Sequence, residues 1–109
     1  MSKVTVIGAG AWGTTLAQVL SDAGNDVLLW ARNQEVVDEI NQEHTNEKYL
    51  SSINLPTNLK ATADIKAAFA HSEVYVLAIP TQQLRPMLQE WASDINKSAV
   101  VVSTLKVLS

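Results

Sequence analysis

Residues 4–16 read VTVIGAGAWGTTL, an apolar run followed by three glycines and the start of a helix-like pattern. Residues 4–7 are short and largely β-branched, which is typical of a buried strand. Gly8, Gly10 and Gly13 follow with G-x-G-x-x-G spacing. The order of strand, glycines and helix predicts a turn that binds the pyrophosphate of a dinucleotide.

Each glycine has a separate predicted role in this turn. Gly8 permits the tight exit from the strand, Gly10 lets a pyrophosphate approach the backbone, and Gly13 lets the helix pack closely on the sheet. The helix N-terminus then offers unpaired N–H groups and the positive end of its dipole. The alternative is a glycine-rich turn without a ligand, but the βαβ unit that follows favours dinucleotide binding.

Length and composition limit the classes of function. A chain of 109 residues is long enough for one domain. The net charge is −3 and basic residues are not clustered, so we expect neither nucleic acid nor a membrane as a partner. Cysteine is absent, which excludes disulfides, thiolate metal sites and cysteine nucleophiles. No apolar run reaches the length of a transmembrane helix.

The pattern along the chain alternates strands and helices. Short right-handed crossovers between such strands predict an α/β fold, a Rossmann-like doubly wound parallel sheet of about five strands in the order 3-2-1-4-5. Strands are predicted near 3–8, 26–31, 59–61, 73–79 and 99–105, and helices near 12–23, 34–43 and 64–70. Pro80 ends the fourth strand, and a helix with Pro86 in its first turn is predicted to follow it to about 96.

Two helix features follow from the local sequence. The first helix has one apolar stripe, which we expect to face the core: Trp12, Leu16, Val19, Leu20 and Ala23. Asn33 is predicted to cap the second helix and Thr62 the third. The polar segment 44–58 is predicted to be a loop, and its unusual length indicates a functional role.

In doubly wound sheets the ligand lies at the carboxyl ends of the strands, where the strand order reverses. Here those ends carry residues 8–13, 31–33, 79–82 and 104–106. NAD-specific sites place an acidic residue after the second strand, but this chain has Arg32 there. Arg32 can face a 2′-phosphate or stack on the adenine, and we predict that NADP(H) is accepted and preferred. The alternative is a solvated arginine.

Several other side chains could take part. Trp12 lies either beside the pyrophosphate or nicotinamide or between the helix and the sheet. Lys106, at the predicted end of the fifth strand, could reach a phosphate or a carbonyl oxygen, although a lone lysine is more often exposed. His44 and His71 lack a ligand cluster, so we expect surface histidines and no metal site.

Taken together, five stretches resemble the bacterial NAD(P)-dependent glycerol-3-phosphate dehydrogenase family. They are GAGAWG at 8–13, LWAR at 29–32, HTNEKYL at 44–50, NLP at 54–56 and AIPTQ at 78–82. The resemblance runs along essentially the whole chain, and it covers the N-terminal, dinucleotide-binding half of that family.

The resemblance implies an oxidoreductase that transfers hydride reversibly between NAD(P)H and dihydroxyacetone phosphate. The product, sn-glycerol 3-phosphate, would supply phospholipid synthesis in the cytoplasm. Residues 1–109 would be the NAD(P)-binding part of a longer two-domain enzyme, ending before the helical substrate domain. We therefore expect this part alone to bind the cofactor weakly and to be catalytically inactive, with no assigned catalytic residue.

The resemblance also implies a set of site residues. Lys106 would contact the substrate as well as the cofactor. Two positions depart from the family pattern: Ala11 stands where Ser or Asn is usual, and Val107 stands where Gly is usual. The predicted cofactor-binding residues are Gly8, Gly10, Ala11, Trp12, Gly13, Arg32, Asn33, Tyr49, Pro80 and Lys106.

Other interpretations of the sequence remain open. One is the cofactor domain of another NAD(P) hydroxyacid or phosphogluconate-type dehydrogenase, against which Trp12 and the LWAR stretch argue. Another is a non-catalytic nucleotide-sensing module, which would not need Lys106. Apolar surface left for a second domain favours self-association, so a homodimer is a further alternative.

Overall fold

The computed structural model describes residues 3–48, 53–72, 74–78, 86, 89 and 100–103. Residues 100–103 are described by their backbone only. Strands and helices alternate along this part of the chain. In order they are β1 (Lys3–Ile7), α1 (Ala11–Asp22), β2 (Asp26–Trp30), α2 (Gln34–Glu43), β3 (Lys60–Thr62), α3 (Ile65–His71), β4 (Val74–Leu77) and β5 (Val100–Ser103).

The strands form one parallel sheet in the order β3-β2-β1-β4-β5. This confirms the predicted doubly wound fold and strand order. β1 lies at the centre, and the order reverses between β1 and β4, where such sheets bind their ligands. Of the helix predicted between β4 and β5, the structure describes only Pro86 and Gln89, and both are helical and exposed.

Side chains alternate between the two faces of the central strands, as the two-residue period of a strand requires. On one face, α1 and α2 cover a cluster that includes Val6, Leu29 and Ile40. On the other face, α3 contributes Phe69 to a cluster with Tyr75, whose hydroxyl donates to the Phe69 carbonyl oxygen at 3.0 Å. The sheet therefore lies between two layers of helices. Packing on both faces holds the carboxyl ends of its strands in place.

The buried face of α1 differs from the predicted stripe. Its buried residues are small, namely Gly13, Thr14, Ala17 and Ser21. Val19, predicted to face the core, is 58 % exposed, and Ala23 is exposed as well; Trp12, Leu16 and Leu20 are only partly buried. The helix lies so close to the sheet that only small side chains fit between them, and this closeness overrides the apolar periodicity.

The helix caps agree with the prediction in one case and correct it in another. Asn33 caps α2, and its side chain accepts a hydrogen bond from the Glu35 amide at 2.8 Å. The cap of α3 is Asp64, which accepts from the Lys66 amide at 3.0 Å. The predicted cap Thr62 lies two residues too early and instead accepts from the Asp64 amide.

Candidate functional site

The glycine turn lies at the carboxyl edge of the sheet, where β1, β2 and β4 end side by side. The Gly8 amide donates to the Trp30 carbonyl oxygen of β2 at 3.0 Å, and the Ala78 amide, just after β4, donates to Ile7 at 2.9 Å. Gly8 has a φ of 115°, a backbone conformation that side chains disfavour. The predicted tight exit from β1 is therefore present.

Gly13 brings α1 into direct contact with this turn. A Cβ atom at Gly13 would lie 1.9 Å from the Gly8 carbonyl oxygen and 3.1 Å from the Ala78 Cβ atom. No side chain fits at such a distance, so the predicted packing role of Gly13 is confirmed.

Gly10 faces open space instead. A Cβ atom built on it would meet nothing within 4 Å among the described residues. Gly10 is also the N-cap of α1 and has no side chain to bond the first amides of the helix, and the first turn carries no acidic residue. Those amides lack intrahelical acceptors, and the helix dipole adds positive potential. Among the described residues, this place offers the space and the positive potential that suit a pyrophosphate.

Ala11 and Trp12 begin the helix at the edge of this opening. Ala11 is exposed, so it presents a methyl group where a hydroxyl or amide was expected from the family pattern. Trp12 is partly buried and is not among the described side chains that pack against either core cluster. Its Nε1 atom is shielded from solvent and has no hydrogen-bond partner among the described residues. Which of its two predicted positions Trp12 takes remains a prediction.

Residues 31–33 leave β2 at the same edge. Ala31 is buried, and its amide donates to Thr62 of β3 at 3.0 Å, which fixes the backbone just before Arg32. Arg32 is exposed. Asn33 uses its side chain oxygen to cap α2, so only its other groups are left for a ligand. The predicted residues of the first two strand ends are thus brought to one edge.

Three predicted site residues lie outside the described part of the chain. These are Tyr49, Pro80 and Lys106. Their proposed contacts with the cofactor, and the contact of Lys106 with the substrate, remain predictions.

Sequence reasoning missed two polar residues beneath the glycine turn. Asn46 and Thr14 are both fully buried. The Asn46 Nδ2 atom donates to the Ala9 carbonyl oxygen at 3.1 Å and to Thr14 Oγ1 at 2.9 Å. Thr14 Oγ1 in turn donates to the same Ala9 oxygen at 3.2 Å. The only sequence feature that could have pointed to Asn46 was its place in a long polar loop. Its partner Ala9 lies 37 residues away, and the sequence does not show that the two meet.

Glu39 of α2 holds the segment that carries Asn46. Its Oε2 atom accepts from Thr45 Oγ1 at 2.6 Å and from the Glu47 amide at 2.8 Å. The two donors flank Asn46 directly. The chain reaches this position through His44, which ends α2 in the left-handed conformation with a φ of 57°.

The histidines are more enclosed than predicted. His44 and His71 are both partly buried, not surface residues. His71 Nε2 lies 2.9 Å from the Asp26 carbonyl oxygen and 3.8 Å from its carboxylate, which joins α3 to the start of β2. Within the described residues no group of three metal-ligating side chains lies together, and no helix is long and apolar enough to cross a membrane.

The sheet order, the glycine turn at its switch point and the open helix N-terminus define an α/β domain of the dinucleotide-binding class. Comparisons with known proteins narrow this class. The profile of the family described as NAD-dependent glycerol-3-phosphate dehydrogenase N-terminus matches residues 3–109. The chain belongs to that family.

Individual relatives agree with this assignment. The chain is 54 % identical over 104 residues to the glycerol-3-phosphate dehydrogenase (NAD(P)+) of Corynebacterium diphtheriae, covering 95 % of this chain and 31 % of the relative. The solved glycerol-3-phosphate dehydrogenase of Saccharomyces cerevisiae matches with a TM-score of 0.87 and 33 % identity, over 94 % of this chain and 33 % of that one. That of Coxiella burnetii matches with a TM-score of 0.85 and 30 % identity, over 93 % and 31 %. The chain thus spans about a third of these relatives.

Proposed function

We propose that this chain is the NAD(P)(H)-binding part of a glycerol-3-phosphate dehydrogenase. The reaction is dihydroxyacetone phosphate + NAD(P)H + H⁺ ⇌ sn-glycerol 3-phosphate + NAD(P)⁺. The observation that carries the proposal is the pairing of a closed position at Gly13 with an open one at Gly10. Such a pairing suits a helix that is pressed onto the sheet so that its N-terminus can receive a pyrophosphate.

The chain's own residues would bind and orient the cofactor. The amides at the start of α1 would hold the pyrophosphate, since they lack intrahelical acceptors and no acidic side chain lies in the first turn. Trp12 and the predicted contacts Tyr49, Pro80 and Lys106 would line the remainder of the cofactor site, with Lys106 also meeting the substrate. When bound, the nicotinamide supplies or accepts the hydride.

Arg32 supports a preference for NADP(H) over NAD(H) within this proposal. It is exposed immediately after β2, where an acidic residue would bind the ribose hydroxyls of NAD. A guanidinium group at this place can bind a 2′-phosphate by two parallel hydrogen bonds.

The relation to a whole enzyme is part of the proposal. Residues 1–109 would form one domain of a two-domain enzyme whose second, helical domain binds the substrate phosphate. We expect this chain alone to bind the cofactor weakly and not to reduce dihydroxyacetone phosphate. We also propose that the enzyme is located in the cytoplasm and forms a homodimer.

Calorimetric titration of the chain with NADPH and with NADH tests the proposal. We expect saturable binding of NADPH, and weaker NADPH binding by Arg32→Ala. Circular dichroism first checks that the chain is folded. If the folded chain binds neither nucleotide, the proposed cofactor function is wrong for this chain. Measurable reduction of dihydroxyacetone phosphate by the chain alone would contradict its expected inactivity.

A further inference from the structure

Asn46 is a buried polar side chain to which the proposed function gives no role. It lies in the segment after α2 and is fully shielded from solvent. Both Nδ2 hydrogens are used, one by the Ala9 carbonyl oxygen and one by Thr14 Oγ1. Because a carbonyl oxygen only accepts hydrogen bonds, the Ala9 contact identifies the amide nitrogen of Asn46 as the atom that faces the turn.

The position of the Ala9 oxygen determines where the next amide points. The peptide bond between Ala9 and Gly10 is planar and trans, since the described residues contain no cis peptide bond. In a trans peptide the C=O and N–H bonds point in opposite directions. Hydrogen bonds from Asn46 and Thr14 hold the Ala9 oxygen toward the interior, so the Gly10 N–H points away from that interior. A Cβ atom built on Gly10 would likewise meet none of the described residues within 4 Å.

We propose that Asn46 is a positioning residue for dinucleotide binding, which holds the Ala9 carbonyl inward and thereby presents the Gly10 amide to the pyrophosphate. The inference rests on the proposed function and deepens it, because it assigns a role to the loop between α2 and β3. Asn46 acts through the backbone and does not touch the ligand.

A second asparagine shows what a purely structural role looks like in this fold. Asn41 of α2 pairs both ends of its amide with one residue of β3: Nδ2 donates to the Ala61 oxygen at 3.0 Å, and Oδ1 accepts from the Ala61 amide at 2.9 Å. The Oδ1 atom of Asn46 is buried and has no partner among the described residues. Asn46 therefore makes its two donor contacts while its acceptor meets no partner among the described residues, which points to the donors as the reason for its presence.

The surroundings of Asn46 are arranged to keep it in place. Glu39 accepts hydrogen bonds from Thr45 and Glu47, the residues on either side of it. The Leu55 amide also donates to the His44 carbonyl oxygen at 2.7 Å, which joins the two described ends of the loop. A side chain fixed at both neighbouring residues can hold a backbone carbonyl in one orientation.

The experiment compares Asn46→Ala with the matched control Asn41→Ala. Each variant removes one asparagine with two hydrogen bonds. Asn41 is exposed and Asn46 is buried, so thermal unfolding is compared alongside binding, and only Asn46 contacts the glycine turn. NADPH, NADH and adenosine 2′-monophosphate are titrated into folded protein, and thermal unfolding is recorded. We expect Asn46→Ala to weaken NADPH and NADH binding about tenfold or more, and Asn41→Ala less than about twofold.

Adenosine 2′-monophosphate separates positioning from loss of structure, because it has no pyrophosphate. We expect its affinity to be unchanged in Asn46→Ala, whereas a general loosening of the fold would weaken all three ligands. In ¹⁵N spectra the Gly10 amide signal should shift in Asn46→Ala and stay in place in Asn41→Ala.

If Asn46→Ala does not fold, Thr14→Val and Thr14→Ser test the same network. Valine removes the hydroxyl that accepts from Asn46 and donates to Ala9, whereas serine keeps it. Weak NADPH binding by the valine variant with normal binding by the serine variant supports the inference. Unchanged NADPH binding by folded Asn46→Ala or Thr14→Val overturns it. If the unsubstituted chain binds neither NADPH nor NADH, the proposed function fails first.

Discussion

The α-carbon of Gly13 lies against the carbonyl oxygen of Gly8, so closely that a methyl group on Gly13 would stand 1.9 Å from that oxygen. Both atoms belong to backbone that cannot rotate away, because Gly8 is bonded to β2 and Gly13 lies within α1. This contact fixes the distance between α1 and the sheet, and thereby the place of the helix N-terminus.

Substituting Gly13 and Gly10 should separate folding from binding. We expect Gly13→Ala to destabilise the chain by about 2 kcal/mol or more, since the added carbon displaces α1 from the sheet. Gly10→Ala should change stability by less than about 1 kcal/mol, because Gly10 has a φ of −70° and the added Cβ atom would meet none of the described residues within 4 Å. Its methyl group would occupy the place of the pyrophosphate and weaken NADPH binding. Urea unfolding and calorimetry measure the two effects, and equal loss of stability in both variants would contradict the assigned roles.

Arg32→Ala should reduce NADPH affinity about tenfold or more and NADH affinity much less, because only NADPH carries a 2′-phosphate. Lys3→Ala is the matched control. It also removes one exposed positive charge, but Lys3 begins β1 at the opposite edge of the sheet. Calorimetric titration at two salt concentrations checks the result. An equal loss of affinity for NADPH and NADH would show that Arg32 does not bind the 2′-phosphate.

Glu39→Ala should loosen the segment around Asn46, because the Glu39 carboxylate accepts hydrogen bonds from Thr45 and Glu47. We expect a loss of about 1 kcal/mol in the free energy of unfolding, together with weaker NADPH binding. Glu39→Gln keeps one acceptor oxygen and should retain most of both. Hydrogen exchange at the Glu47 amide reports the loosening directly, and unchanged exchange in Glu39→Ala would argue against the bracing role.

Thr5→Val should destabilise the chain by about 1 kcal/mol, because the buried Thr5 hydroxyl donates to the Ala68 carbonyl oxygen at 2.8 Å. Thr15→Val is the control. The Thr15 hydroxyl donates to Ala11 at the same distance but on the exposed side of α1, so we expect a change below about 0.5 kcal/mol. Denaturant unfolding of both variants gives the comparison. A larger loss for Thr15→Val would show that burial does not determine the effect.

The sequence predicted the parts of this structure that depend on near neighbours. Strand and helix bounds, the Asn33 cap and the glycine turn each follow from residues within a few positions of one another. The packed face of α1 could not be predicted from neighbouring residues. Gly13 and Ala17 are buried and Val19 is exposed because α1 lies so close to the sheet. Asn46 was missed for the same reason, because its partners lie in a distant turn.

Thr5 has a further consequence for how the sheet is assembled. Residues on both faces of β1 are buried, so an alternation of apolar and polar side chains does not specify which residues face which helical layer. A slip by one residue would carry Thr5 to the face covered by α1 and α2, and would leave Val4 or Val6 against the Ala68 carbonyl oxygen. The threonine hydroxyl thus marks the register of an otherwise uniform strand, and it does so from inside the core.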